Sequence, residues 1–288
     1  MRLCQFYAGE TVHVGYDLNE TVLGDLTEAL NTSHTLLDFL TDPDLLKRAV
    51  GHDWKTTPEA LIPITEVRWA LPVSSPSKII GLGLNYRRHV EETPYARPDY
   101  PVYFLRLPHT LVAHQEPLKI PPKWPTLDYE GELAVIIGRD VNGRDDIPWQ
   151  SAIAGYTLFN DASVRSLQFR GPQWTLGKNC PATGAFGPWV VTPDALPEGP
   201  DHLLLETRIN QELVQQGNTA DMIFSVGDII RDLAQVIPLS RGDVILTGTP
   251  DGVGFAQKPP RYLAPDDWVR VRCPAIGELV NPVVLADD

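Results

Sequence analysis

Asp128-Tyr129-Glu130-Gly131-Glu132-Leu133-Ala134-Val135-Ile136-Ile137 is the stretch whose reading decides the fold. Its second half is a continuous apolar run that reads as a strand inside the core. Its first half sets carboxylates at i and i+2, and in an extended chain those two positions face the same way. Glu130 and Glu132 therefore project together at the entrance to a buried strand, where they repel each other unless a cation joins them. Hard divalent ions want such oxygen ligands. Taken alone, the pair is more simply a solvated acidic strand end.

On the N-terminal side, Ile79-Ile80-Gly81-Leu82 reads as a second buried strand, followed by a short helix after Asn85. His89 and Glu92 share a face of that helix, and a carboxylate beside an imidazole fixes its tautomer and raises its basicity. The ordinary alternative is a surface histidine in a charged helix. The other six histidines show no comparable company and read as structural or solvent-facing. On the C-terminal side, a strand over residues 153–160 ends at Asp161, where a helix should begin, so Asp161 is either a helix cap or a third acidic ligand.

Further out, residues 189–191, 202–209, 243–247 and 268–273 read as strands, residues 226–237 as a helix, and residues 2–16 as a hairpin around Gly9. Residues 36–50 read as helical, with Pro43 opening a second half after Asp42. Prolines punctuate residues 58–76, which marks a linker or an extended crossing. Many strands without strict βα alternation give an α+β fold built on a mixed sheet, with a small N-terminal domain over residues 1–72 and the main body over residues 73–288.

Composition narrows the function. Against 24 Lys and Arg stand 37 Asp and Glu, a formal net charge of −13, and no basic run supplies a local patch. Nucleic acid is excluded as a partner on that ground, and an anionic membrane surface is disfavoured. A small anionic substrate remains compatible, because a bound cation reverses the local field. Cys4, Cys180 and Cys273 have no paired spacing, which fits a reducing compartment. The start MRLCQFYAGE has no apolar stretch behind a basic residue, and nowhere is there a run of about 18 apolar residues. A cytoplasmic protein is expected.

Two other segments carry weaker signals. Lys178 closes Trp174-Thr175-Leu176-Gly177-Lys178 as a lone cation, ordinarily a sign of exposure. Gly248-Thr249-Pro250-Asp251-Gly252-Val253-Gly254 is glycine-dense, so its backbone can approach a ligand closely, but it lacks the lysine and helix of a phosphate loop.

Taken in order, these segments resemble the fumarylacetoacetate hydrolase family. The matching blocks are Lys78-Ile79-Ile80-Gly81 leading to Asn85-Tyr86 and His89; Asp128 to Leu133; Gly155-Tyr156-Thr157 leading to Asn160-Asp161; Trp174 to Lys178; and Gly242 to Pro250. The similarity runs from Lys78 to the C-terminus. It implies the family's mixed β-roll, commonly homodimeric. It also implies Glu130, Glu132 and Asp161 as ligands of Mg²⁺ or Mn²⁺, sometimes Ca²⁺, and His89 with Glu92 as a lid-helix dyad that activates water. Arg165, Gln168, Lys178 and Thr249 match positions that hold substrate oxygens or the developing enolate, with Lys178 counted as catalytic. Three features depart from the family's habit: Ser166 follows Arg165 where Asp is frequent, Asn179-Cys180 follows Lys178 where Ser-Phe is frequent, and residues 81–84 offer no further acidic ligand. They bear on substrate identity more than on metal binding.

The activity implied is hydrolysis of a C–C bond in a small 2-oxo or 1,3-dicarbonyl acid, such as an acylpyruvate. A chelated divalent ion would act there as a Lewis acid and the dyad as general base. Decarboxylation or isomerisation of an oxaloacetate-like or unsaturated 2-oxo diacid is the alternative, and needs no attacking water. A non-catalytic metal-binding protein on the same fold is a lesser one, against which the retention of every catalytic group counts.

Overall fold

Gly131–Ile137 is buried at every position, and so is the neighbouring strand Ile153–Asp161. Strands covered on both faces need layers above and below, and the rest of the chain supplies them. The computed structural model describes residues 1–143, 148–196 and 198–287. The chain opens with β1 (Arg2–Ala8), β2 (Thr11–Asp17) and β3 (Val22–Asp25), then α1 (Leu26–Ala29), α2 (Leu36–Thr41) and α3 (Pro43–Val50). Next come β4 (Leu61–Pro63), β5 (Arg68–Ala70), β6 (Ile79–Gly83), α4 (Arg87–Glu92), β7 (Val102–Arg106), β8 (Leu111–Val112), β9 (Leu118–Ile120), β10 (Leu127–Asp128) and β11 (Gly131–Ile137). The second half runs through β12 (Ile153–Asp161), β13 (Ser163–Val164), α5 (Arg165–Gln168), α6 (Thr175–Lys178), β14 (Gly184–Phe186), β15 (Val190–Val191), β16 (Leu204–Ile209) and β17 (Glu212–Asn218). It ends with α7 (Val226–Val236), β18 (Val244–Leu246), β19 (Trp268–Cys273) and β20 (Gly277–Leu285).

The main sheet runs β4-β3-β2-β1-β15-β12-β11-β18-β6-β7, and a second sheet runs β17-β16-β19-β20-β9. Most pairs are antiparallel, but β18 lies parallel to β6 and β20 to β9, so the sheets are mixed, as the sequence predicts. Between them lies the larger core, where Leu133, Val135 and Ile137 of β11 meet Leu205, Val269 and Val271 of the second sheet. The opposite face of β11, Ala134 and Ile136, packs with Leu36, Phe39 and Val244.

The helix expected over residues 36–50 is broken at Asp42, whose side chain accepts hydrogen bonds from Asp44 N–H and Leu45 N–H and so caps α3, with Pro43 in its first turn. Residues 1–72 extend the main sheet: β1 pairs with β15 and with β5, and Trp69 packs on Trp189 with ring centroids 5.1 Å apart. Several strands were not anticipated, among them β7 and β20. β7 is framed by Pro101 and Pro108 and β20 contains Pro282, residues that ordinarily argue against a strand. Among the described residues no helix is long and apolar enough to cross a membrane.

Candidate active site

The pairing of β11 with β12 sets Gly131 opposite Asn160, which places Glu130 and Asp161 side by side. Their backbones are clipped together: Asp161 N–H donates to Glu130 C=O at 2.8 Å, and Glu130 N–H donates to the Asn160 side chain at 2.9 Å. Glu132 accepts from Gly248 N–H at 2.8 Å. Gly248 has φ +98, a left-handed conformation, and a Cβ there would come within 2.9 Å of Asn85. The glycine is what lets that loop reach the carboxylate. Thr249 is fixed beside it, donating to Gly131 C=O at 2.9 Å and accepting from Gln215 at 2.9 Å. The result is a buried cluster, with one oxygen from each of Glu130, Glu132 and Asp161 lying within 4.8 Å of the other two.

Asp161 is not a helix cap. α5 begins after Val164 and has no side-chain cap, so the capping alternative fails. Its carboxylate instead pairs with Arg106 of β7 and with Lys178. Lys178 closes α6, where Gly177 packs tightly on Gln168, and its ammonium is buried between Asp161 and Glu130, donating to the latter at 2.6 Å. Arg165 donates from Nε to Asp128 at 2.8 Å and from Nη1 to Gln168 at 2.7 Å. Its Nη2 lies 2.6 Å from Glu130 but out of line for a hydrogen bond, so that nitrogen is in ion-pair contact with its N–H groups uncommitted.

Burial pushes the Glu130 carboxyl up, but Arg165 and Lys178 outweigh it and hold the group far below the usual carboxylate range. Among the described residues no cation forms an ion pair with Glu132; burial, then Asp161 and Glu130, push its carboxyl well above that range. Burial also raises Asp161, against the pull of Lys178 and Arg106. A cluster of hard oxygen donors with surplus negative charge fits a divalent cation such as Mg²⁺ or Mn²⁺, and the orphaned charge of Glu132 is the specific sign of that fit.

Above the cluster stands α4. Asn85 anchors its start, donating to Thr247 C=O at 2.8 Å and to Phe224 C=O at 3.0 Å. His89 is buried, with Nδ1 2.7 Å from Glu92 Oε1. A carboxylate can only accept here, so Nδ1 carries a proton, and in the neutral ring the lone pair is on Nε2. Glu92 also accepts from Gly252 N–H at 2.9 Å, tying the helix to the glycine-dense loop.

His89, Glu130, Glu132, Arg165, Gln168, Lys178 and Thr249 all line one narrow cleft. Asp161 and Glu92 lie behind its wall, holding Lys178 and His89. Sequence reasoning missed Arg106, Asp128 and Gln215 as parts of this machinery. Asp128 accepts from Gly254 N–H at 2.8 Å and from Phe255 N–H at 3.0 Å as well as from Arg165. Its place in the motif was the only available signal, and Arg106 and Gln215 gave none. The reading of the other histidines also needs correction. His13 Nδ1 lies 2.7 Å from Asp25, a pair of the same type as His89 and Glu92 but on the N-terminal hairpin.

The family model for the fumarylacetoacetate (FAA) hydrolase C-terminal region matches residues 78–284. The chain belongs to the fumarylacetoacetate hydrolase family. As a member of it, the chain is an enzyme with the family's fold. A mitochondrial oxaloacetate tautomerase of Rattus norvegicus is 35% identical over 296 residues, covering 99% of this chain and 92% of the relative. The oxaloacetate tautomerase YisK of Bacillus subtilis is 38% identical over 224 residues, covering 76% of this chain and 74% of the relative. The structure of a fumarylacetoacetate hydrolase from Exiguobacterium antarcticum matches with a TM-score of 0.83 and 33% identity, covering 99% of this chain and all of that one. The rat protein's name places it in mitochondria, a compartment that the start of this chain did not suggest.

Proposed function

We propose that this enzyme catalyses metal-assisted keto–enol interconversion of a small 2-oxo acid, an isomerisation. The observation that carries the reading is the pairing, in one cleft, of a buried three-carboxylate cluster with an imidazole whose free nitrogen is set by Glu92. Bound by Glu130, Glu132 and Asp161, a divalent cation supplies Lewis-acid polarisation of the 2-oxo group. His89 Nε2 takes the proton from C3 of the keto acid, and the same proton returns to the oxygen on C2 to give the enol. Lys178 and the uncommitted Nη2 of Arg165 lower the cost of negative charge on that oxygen between the two transfers. Gln168 and Thr249 orient the carboxylate.

C–C hydrolysis, which the sequence alone favoured, becomes the second reading. The His89–Glu92 pair favours it, because the same base could activate water. The order is reversed because two relatives are named oxaloacetate tautomerases, a reaction within the alternative that the sequence already offered. Homodimerisation belongs to the proposal too, and sedimentation equilibrium checks it. The decisive comparison is His89→Ala. Interconversion should fall by roughly 10²–10⁴-fold, the usual loss for a general base. A wild-type enzyme that cleaves an acylpyruvate faster than it interconverts any enol would put hydrolysis first.

A further inference from the structure

Asn179, the residue after Lys178, commits its side-chain amide to the backbone of two segments. Its Oδ1 accepts from Leu107 N–H at 2.7 Å, and its Nδ2 donates to Leu105 C=O at 3.0 Å and to Thr175 C=O at 2.8 Å. Leu105 and Leu107 flank Arg106 at the end of β7, the last strand in the order of the main sheet. An edge strand presents N–H and C=O groups with no strand to meet, and Asn179 takes the place of that partner on either side of Arg106. Thr175, in contrast, opens α6. A helix of four residues closes too few hydrogen bonds to hold itself, and its last carbonyls need donors from outside. The Asn179 amide supplies one. The Asn179 C=O accepts from His109 Nε2 at 3.1 Å, a further tie between the same two segments.

The segments joined in this way carry the two cations that pair with Asp161. Burial alternates along the end of β7, with Phe104 and Arg106 buried and Leu105 exposed. Arg106 pairs with Asp161, and its Nη2 donates to Thr183 Oγ1 at 2.8 Å. From α6, Lys178 reaches Asp161 and Glu130, and its ammonium stands 4.6 Å over the Phe104 ring. The separation of α6 from β7 thus sets where that ammonium lies relative to Phe104, Arg106 and the carboxylates. A lysine stem is flexible, so its head stays in place only if its own stretch of backbone is held.

We infer that Asn179 is a positioning residue, whose side chain holds α6 against β7 and thereby sets the Lys178 ammonium at the floor of the site. Its effect on turnover rests on the role proposed for Lys178, but the placement itself is read without turnover. Lys178 is the one buried lysine among the described residues. Its ammonium protons are shielded from water and should give a resolved ¹H–¹⁵N signal, identified by its loss in Lys178→Met. Wild type in saturating Mg²⁺ is compared with Asn179→Ala and with Asn179→Asp, which keeps the shape and the acceptor for Leu107 N–H but has no donor. In both variants the ammonium protons should exchange with water at least about tenfold faster. A plain helix cap would instead lower the melting temperature and leave that exchange unchanged. The kcat for enol interconversion should fall by about tenfold, less than the 10²-fold that a 1 Å misplacement can cost, with KM nearly unchanged. In the Lys178→Met background the same substitutions should cost nothing further. No resolved Lys178 signal in wild type, unchanged exchange in both Asn179 variants, or a kcat loss repeated in full in the Lys178→Met background would overturn the positioning role. Faster exchange in the variants of an enzyme that interconverts no enol would keep the positioning role and overturn the proposed reaction.

Discussion

The carboxylate of Glu132 accepts a hydrogen bond from Gly248 N–H and lies fully buried with Glu130 and Asp161. Replacing it with Gln removes a repelled charge while keeping shape and an acceptor, so two consequences separate. Affinity for Mg²⁺ or Mn²⁺ should fall by about 100-fold or more, the upper end of what an altered metal site costs. The melting temperature of the metal-free protein should hold or rise, because no ion pair is lost. Calorimetric titration and thermal unfolding read the two effects, and undiminished affinity would refute the ligand role. At this scale the sequence was informative wherever neighbours in the chain are neighbours in space, as with Glu130 and Glu132 or His89 and Glu92. It was silent on Arg106, because its partner Asp161 lies 55 residues away and nothing near Arg106 in the chain announces an acid.

Among the elements, α4 has six residues and depends on its tethers. One is Asn85 at its start, and the other is Glu92 reaching Gly252 N–H on the loop after β18. Glu92→Gln keeps the size but weakens both of its hydrogen bonds, so amide exchange at Gly252 should quicken while kcat falls along with that of the His89 variant. Normal exchange at Gly252 would show that Glu92 serves the imidazole alone. A second element-level consequence lies at β20. There His114 Nδ1 accepts from Val280 N–H at 3.0 Å, and its ring packs on Trp69 at 5.2 Å. Burial, then Arg270, lowers its pKa to about 4. A histidine whose pKa is depressed on folding stabilises the fold fully above its unfolded value of about 6.5, and that contribution fades as pH falls toward 4. Denaturant titrations should show wild type losing about 2 kcal/mol more than His114→Gln between pH 7 and pH 5. Equal losses would remove His114 from the account. Strands with simple apolar runs, such as β6, β11 and β12, were legible in the sequence. β7 and β20 were obscured because an edge position and a tolerated proline leave no periodic signal.

Over the whole molecule, two mixed sheets enclose one core, and the site sits where β11 and β12 emerge from it beneath α4 and the 248–254 loop. The family's order of motifs was readable from Lys78 onward. The continuity of residues 1–72 with the main sheet was not, since β1 pairs with β15, a partner of two residues far along the chain (Arg2 opposite Val191). Charge reads the same way at both scales: a molecule of net charge −13 gathers Arg106, Arg165 and Lys178 at its buried floor, and a divalent cation there would complete the field that draws in a small acid. The central claim is that this field serves metal-dependent keto–enol interconversion. The most direct test follows the loss of enol absorbance from freshly dissolved oxaloacetate and phenylpyruvate, against enzyme-free blanks containing the same Mg²⁺. The account predicts acceleration of at least one enol over its blank, abolished by EDTA, restored by excess Mg²⁺ or Mn²⁺, and missing in Glu132→Gln. Rates no faster than the blanks for both acids, or an acceleration that EDTA leaves intact, would contradict it.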